Sequence, residues 1–329
     1  MYILGIETSC DETASGIVKG GEILSNIILT QTAHSIYGGV VPEIASREHT
    51  KHIVSIVEKA LAVAGTQFSQ IGAIAVTRGP GLIGCLLVGV SYARNLGLAL
   101  NIPVIGINHL EGHISAAFTD PDIEFPLLCL LASGGHTMLV VVNEFHKYSI
   151  LGTTRDDAAG EAFDKVAKLL GLGYPGGAKL DELADKGDPN RFHFPLAKLK
   201  KGKWDFSFSG IKTAVALKVR EFPDGEVPAD DIAAGFRKAV ITMLMSKLKE
   251  AIVYSRCKHF AIVGGVAQNS LLRNKAVELA NEMGISFYIP DADLCGDNGA
   301  MIAIAGELSL KNNIPLESDF DASPYLPLT

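Results

Sequence analysis

Short apolar runs, each ended by glycine or a polar turn, recur along this chain. Tyr2-Ile-Leu-Gly-Ile enters Glu7-Thr-Ser-Cys-Asp-Glu-Thr and returns through Ala14-Ser-Gly-Ile-Val, the pattern of a β-hairpin whose turn carries hydroxyls and acids. Apolar residues then recur at helical spacing from Glu43 to Ala64. Ile71-Gly-Ala-Ile-Ala-Val is a buried strand, Arg78-Gly-Pro-Gly a turn, Leu82 onward a helix, and Pro103-Val-Ile-Gly-Ile another strand. The order then repeats. Leu127-Leu-Cys-Leu-Leu-Ala is a strand, Ser133-Gly-Gly-His-Thr a turn, and Met138 to Val142 the returning strand; helices follow at 161–171, 178–187 and about 229–254. Phe260-Ala-Ile-Val, Gly264-Gly and a helix from near Asn269 close the second half, and a last helix spans Asn298 to Leu310.

This repetition predicts a duplicated α/β fold with the active site between two lobes. The first lobe is expected over 1–108, completed by the C-terminal segment 298–329, and the second over 109–297. A chain of 329 residues is long enough for two cores. Its 48% hydrophobic content excludes disorder. The stretch Leu82–Leu100 is interrupted by Arg94 and Asn95 and reads as a buried helix, not a membrane span. The net charge of −7 argues against general nucleic-acid affinity, so any such binding needs a local basic patch. The five cysteines are scattered with no CxxC pair, which suits buried thiols in a reducing cytoplasm. The N-terminus has no signal-peptide pattern.

Six stretches carry candidate chemistry. In His109-Leu-Glu-Gly-His113 two imidazoles four residues apart share one helix face and could meet one metal ion, or be ordinary helix-surface histidines. Glu111 lies two positions after the first histidine, and at ~100° per residue it points away from that face, so a zinc-peptidase reading fails. Ser133-Gly134-Gly135-His136 is a glycine turn whose N–H groups could approach a phosphate, and Thr8, Ser9 and Thr13 beside Asp11 and Glu12 form a second such turn. Asp164 and Asp181 flank the Gly173–Gly177 turn and would suit ribose hydroxyls, if they are not simply solvated. Asn269 follows paired glycines and is also a good N-cap. Asp297, in Cys295-Gly-Asp-Asn, is an N-cap or the third member of a His-His-Asp metal site.

Taken together, GIETSCDET, PEIASREHTKH (42–52), RGPGLIGCLLVG (78–89), NHLEGH, LASGGHT, FDKVAKLLGLGYPGGAKLD (163–181), FSFSGIKTA (206–214), GGVAQN and CGDNGAM resemble the TsaD family over nearly the whole chain. Gly296 stands where many of its members carry threonine. The resemblance implies the actin/sugar-kinase/Hsp70-type fold of two ribonuclease-H-like lobes. It implies transfer of threonylcarbamoyl from threonylcarbamoyl-AMP to N6 of adenine 37, in tRNAs that read codons beginning with A. It also implies that His109, His113 and Asp297 hold one divalent metal, normally described as Fe²⁺, with Zn²⁺ compatible. The turn Leu131, Ala132, Ser133, Gly134, Gly135, His136 would contact the intermediate and its phosphate, and Asp164, Gly177, Asp181 and Asn269 the nucleoside. The implied partners are tRNA, a shorter TsaB-like paralogue and a TsaE-like P-loop ATPase, in the cytoplasm and without a membrane.

In that chemistry the N6 proton must leave, and Asp11 or Glu12 could accept it. Lys198, Lys200, Lys201 and Lys203, with Arg191, His193 and Trp204 nearby, form the densest basic cluster and the candidate tRNA surface. Two other readings are an ATPase or small-molecule kinase of the same fold, and a non-catalytic scaffold. Paired histidines argue against the first, because Mg²⁺ prefers oxygen ligands. The intact His109, His113 and Asp297 set argues against the second.

Overall fold

The computed structural model describes residues 1–120, 123–197, 199, 201–223, 225–317 and 319–328. Its elements are, in chain order, β1 (Tyr2–Glu7), β2 (Glu12–Lys19), β3 (Glu22–Thr30), α1 (Pro42–Val63), β4 (Ile71–Gly79), α2 (Ile83–Leu100), β5 (Val104–Asn108), α3 (His109–Ser115), β6 (Leu127–Ala132), β7 (Thr137–Glu144), β8 (Lys147–Thr153), α4 (Ala159–Leu169), α5 (Gly177–Ala184), α6 (Ser209–Val219), α7 (Ala229–Ser255), β9 (His259–Val263), α8 (Ser270–Met283), β10 (Ser286–Tyr288), α9 (Ala292–Cys295) and α10 (Gly299–Lys311).

The strands of the described residues fall in two five-stranded sheets, ordered β3-β2-β1-β4-β5 and β8-β7-β6-β9-β10. In the first, β1, β2 and β3 meander antiparallel and β1 also pairs in parallel with β4; in the second, β6 pairs antiparallel with β7 and parallel with β9. The same order in both sheets is the duplication that the sequence predicts.

The chain divides into two compact units, Met1–Ile123 with Glu144–Tyr148 and Pro290–Thr329, and Glu124–Asn143 with Ser149–Ile289. The C-terminal segment Pro290–Thr329 belongs to the first unit. The expected boundaries at 108/109 and 297/298 do not hold. The segments 109–119 and 290–297 belong to the first unit, because α3 is buried throughout and packs on α10, which itself lies on β1, β2 and β4.

In the first unit β1 is buried from Ile3 onward. One face of its sheet takes α10, whose run Gly299–Gly306 is buried on all sides; the other takes α1 and α2. Pro42 pre-sets the first turn of α1, and Ala45, His49, Ile53, Val57, Ala60 and Leu61 form its inner stripe. The Ile83–Leu100 segment is apolar enough to cross a membrane, but it packs on β4 and α1 through Cys85, Leu86, Gly89, Val90, Ala93 and Gly97. In the second unit β6 is wholly buried, and Phe163 of α4 meets Phe236 of α7 edge to face at 5.2 Å. At the end of β9, Gly264 has φ +92° and sits so close to β6 that a Cβ would lie 2.5 Å from the Ala132 carbonyl.

Two glycines set how closely α10 approaches the first sheet. A Cβ on Gly16 would lie 2.6 Å from Ala300 N, and one on Gly299 would lie 2.3 Å from Gly16 N. Both contacts are with backbone, which cannot swing aside. Gly16→Ala is therefore expected to destabilise the fold by about 1–3 kcal/mol, read as a lower urea midpoint at unchanged slope. An unchanged midpoint would mean that α10 is not clamped there.

Candidate metal centre and acid-bearing turn

The first site begins at α3. Asn108 caps it, its side chain accepting from the Leu110 N–H at 2.9 Å. One turn of helix separates His109 from His113, whose ring centroids are 4.8 Å apart. Gly112 sits against Ile302 and Met301, so α3 lies close on α10. Just before α10 comes Asp297, followed by the N-cap Asn298, whose side chain accepts from Met301 N–H at 2.8 Å. This packing brings Asp297 Oδ1 to 3.6 Å from His109 Nε2 and 3.2 Å from His113 Nε2.

The three candidate ligand atoms lie within 4.8 Å of one another. His113 is fully buried, yet among the described residues neither ring nitrogen has a hydrogen-bond partner. Such nitrogens are costly unless something else takes the lone pair. Two imidazoles and a carboxylate suit Fe²⁺ or Zn²⁺. The residues fit a metal.

Around them stand residues that the sequence reading passed over. Glu7 ends β1 fully buried; it accepts from His109 Nδ1, Thr77 Oγ1 and the Ser9 N–H. On the other side of the turn, His49 of α1 donates from Nε2 to the Cys10 carbonyl at 2.9 Å and pairs through Nδ1 with the Thr13 hydroxyl at 2.8 Å. Burial holds the His49 pKa below its ordinary value, so the neutral ring makes both bonds. The turn is also pinned to the start of α2 by Thr8 Oγ1 to the Cys85 carbonyl and Leu82 N–H to the Ser9 carbonyl. The available signal for Glu7 was a carboxylate at the end of an otherwise apolar strand.

Within that turn Asp11 is 9% exposed. Burial, and then the neighbouring Asp297, Asp11 and Glu7 carboxylates, push the Glu12 carboxyl well above the ordinary range. Glu12 is thus set to keep a proton. Glu111 behaves as its position predicts: it accepts from His146 Nδ1 at 2.6 Å and Tyr148 OH at 2.7 Å and has no part in the triad.

In the second unit the β6–β7 turn closes by Ser133 N–H to the His136 carbonyl at 2.8 Å and His136 N–H to Ser133 Oγ at 3.2 Å. Gly134 and Gly135 are exposed, with open space where side chains would be. Leu131 and Ala132, at the end of β6, are fully buried, main chain included. Asp164 Oδ1 accepts the N–H groups of Gly176 and Gly177 at 2.9 and 3.0 Å and so shapes the glycine turn. Asp181 accepts from Asn269 Nδ2 at 2.5 Å, Arg237 Nη1 at 2.7 Å and Ser270 N–H at 3.1 Å. Asn269 also caps α8 through Leu272 N–H. The expected nucleoside residues therefore meet as two pairs, Asp164 with Gly177 and Asp181 with Asn269.

The basic cluster is less free than its sequence suggests. Lys198 and Lys200 lie outside the described residues; Lys201 and Lys203 are exposed. Arg191 pairs with Asp231 at 2.5 Å. Trp204, expected as a stacking platform, instead packs on Tyr254 at 4.4 Å and carries the Lys203 ammonium at 5.3 Å, with its Nε1 buried.

Repeated five-strand sheets with this order define the actin/sugar-kinase/Hsp70 class of proteins. Full-length HypF in its phosphate- and nucleotide-bound form matches 95% of this chain, and 47% of its own, at a TM-score of 0.63 and 12% identity. Component A of the Acidaminococcus fermentans (R)-2-hydroxyglutaryl-CoA dehydratase matches 93% of this chain and 95% of its own at 0.55 and 17%. These likenesses establish the fold alone.

Sequence comparison goes further. Residues 22–304 match the TsaD family, described as tRNA N6-adenosine threonylcarbamoyltransferase. The enzyme of that description from Thermodesulfovibrio yellowstonii is 50% identical over 335 residues, covering 100% of both chains. That from Geotalea daltonii is 49% identical over 333 residues, covering 100% of this chain and 97% of its own. The chain belongs to the TsaD family of tRNA-modifying transferases.

Burial disfavours a charged His109, but the Asp297 and Glu7 carboxylates outweigh it and raise its pKa to about 9. A metal must displace that proton. Zinc affinity should therefore rise as pH climbs toward about 9, by up to about tenfold per unit, and level off above it. Chelator competition between pH 6.5 and 8.5 measures this. A flat profile would place the metal away from His109.

Proposed function

We propose that the chain transfers threonylcarbamoyl from threonylcarbamoyl-AMP to N6 of adenine 37, in tRNAs reading codons that begin with A, and releases AMP. The observation that carries this reading is the convergence of the buried His109 and His113 with the half-buried Asp297 in a chain of the TsaD family. The donor is a mixed carbamoyl–phosphate anhydride and is already activated. The protein need only orient N6 against the carbonyl and stabilise charge on the departing AMP.

A divalent cation held by His109, His113 and Asp297, Fe²⁺ by resemblance and with Zn²⁺ compatible, supplies Lewis acidity toward a phosphate or carbonyl oxygen. The protein's own groups supply the rest. The N–H groups of the 133–136 turn bind the anionic part of the intermediate. Asp164 fixes the Gly176–Gly177 backbone, and Asp181 with Asn269 holds the nucleoside. Asp11 accepts the N6 proton, while Glu12 keeps its own and can donate a hydrogen bond. Lys198, Lys200, Lys201 and Lys203 contact the tRNA backbone. A TsaB-like paralogue and a TsaE-like ATPase assist, in the cytoplasm.

The test is nucleoside analysis of tRNA after incubation with threonylcarbamoyl-AMP and the purified chain, with and without those partners. Threonylcarbamoyl-adenosine should form at adenine 37, and Asp297→Ala should lower its rate about 10²–10³-fold, as loss of one electrostatic stabiliser does elsewhere. Phosphate release from ATP alone, without modified nucleoside, would favour the kinase or ATPase reading.

Replacing the four lysines by Ala should weaken tRNA binding and flatten its salt dependence, with threonylcarbamoyl-AMP binding unchanged. An unaltered salt slope would place the tRNA surface elsewhere.

A further inference from the structure

Glu7 is more than a neighbour of the candidate ligands. The rest of β1 is apolar, and the carboxylate at its end has no exposed surface. Both oxygens are nonetheless used. Oε2 accepts from His109 Nδ1 at 3.1 Å and from the Thr77 hydroxyl at 2.6 Å, and Oε1 accepts from the Ser9 N–H at 2.5 Å. Ser9 Oγ lies 3.3 Å from the same His109 nitrogen.

An ionised carboxylate only accepts. Facing Glu7, a neutral His109 must therefore carry its one proton on Nδ1, which leaves the lone pair on Nε2. Nε2 is the atom that approaches Asp297 Oδ1. His113 has no such partner on either nitrogen. The two imidazoles are held in different ways: His109 bonds a carboxylate through Nδ1, while His113 meets only Asp297 Oδ1, 3.2 Å from its Nε2, among the described residues.

We propose that Glu7 is a positioning residue for the metal centre: it fixes the tautomer and ring orientation of His109 and, through Ser9, ties that ring to the turn carrying Asp11. This rests on reading His109, His113 and Asp297 as a metal centre. Carboxylate-backed histidines are a recurrent device for orienting metal ligands. Here the same carboxylate also joins strand, helix and turn.

Glu7→Gln keeps the side chain's size but cannot satisfy every donor. With its amide oxygen toward His109, its NH₂ opposes the Ser9 N–H. Reversed, its NH₂ faces His109 Nδ1 and favours the proton on Nε2, the tautomer that cannot bind a cation through Nε2. Zinc affinity by chelator competition should fall about 10–100-fold in Glu7→Gln. Histidine ¹⁵N spectra of the zinc-loaded wild type should show His109 protonated on Nδ1 and metal-bound on Nε2, and Glu7→Gln should shift that pattern.

A folded Glu7→Gln with wild-type zinc affinity and an unchanged ¹⁵N pattern would overturn the proposal while leaving the metal reading intact. Absence of stoichiometric zinc in the wild type would overturn the metal reading and the proposal with it. If Glu7→Gln does not fold, the wild-type spectrum decides: zinc on His109 Nδ1 would refute the role, and zinc on Nε2 with a proton on Nδ1 would support it.

Discussion

A buried imidazole with neither nitrogen bonded is expensive, of order 1–3 kcal/mol for an unsatisfied polar group, and among the described residues His113 has no hydrogen bond on either nitrogen. The first unit is arranged so that this expense is concentrated at one point. Helix α3 rests on α10 at Gly112, α10 rests on the sheet at Gly16 and Gly299, and Asp297 arrives at the head of α10. No part of that chain can shift without moving a candidate ligand. The same backbone contacts that stabilise the core therefore fix where two imidazoles and a carboxylate converge.

Electrostatics follow from that packing. Glu7, Asp11, Glu12 and Asp297 put several carboxyl groups near two histidines in a poorly solvated region. The pKa values respond in opposite senses: that of His109 rises and that of Glu7 falls, while that of Glu12 is driven upward. For Glu7 burial works against ionisation, and its contacts with His109 and Thr77 prevail. Groups of one kind with divergent protonation are what acid–base work requires. In the second unit the hydrogen bonds serve shape. Asp164 accepts from the Gly176 and Gly177 N–H groups, and Asp181 from Ser270 N–H, Asn269 and Arg237, so that both fix the backbone locally.

Much of this was legible in the chain. The strands buried on both faces, such as β1, β4, β6 and β9, are continuous apolar runs and stood out. Edge strands β3 and β8, half exposed and paired on one side only, did not, because their sequences Glu22–Thr30 and Lys147–Thr153 mix polar and apolar residues without clean alternation. Helix α6 was hidden because its start is fixed by Asp156, which accepts from Ser207, Phe208 and Ser209 some fifty residues away. The candidate metal ligands were visible as His-x-x-x-His plus a distant Asp. That they lie in the first unit and not in the second was not, since it depends on the packing of α3 on α10. Trp204 shows the opposite failure: neighbouring lysines suggested a stacking surface, and Tyr254 already occupies its ring.

The central claim is that His109, His113 and Asp297 hold one metal ion. X-ray absorption at the metal edge, on protein loaded with a single equivalent of Fe²⁺ or Zn²⁺, tests it most directly. The account predicts a shell of nitrogen and oxygen only, with the outer-shell scattering of two imidazoles, reduced to one in His113→Ala. Sulfur in that shell, or two imidazoles still present in the His113 variant, would contradict it.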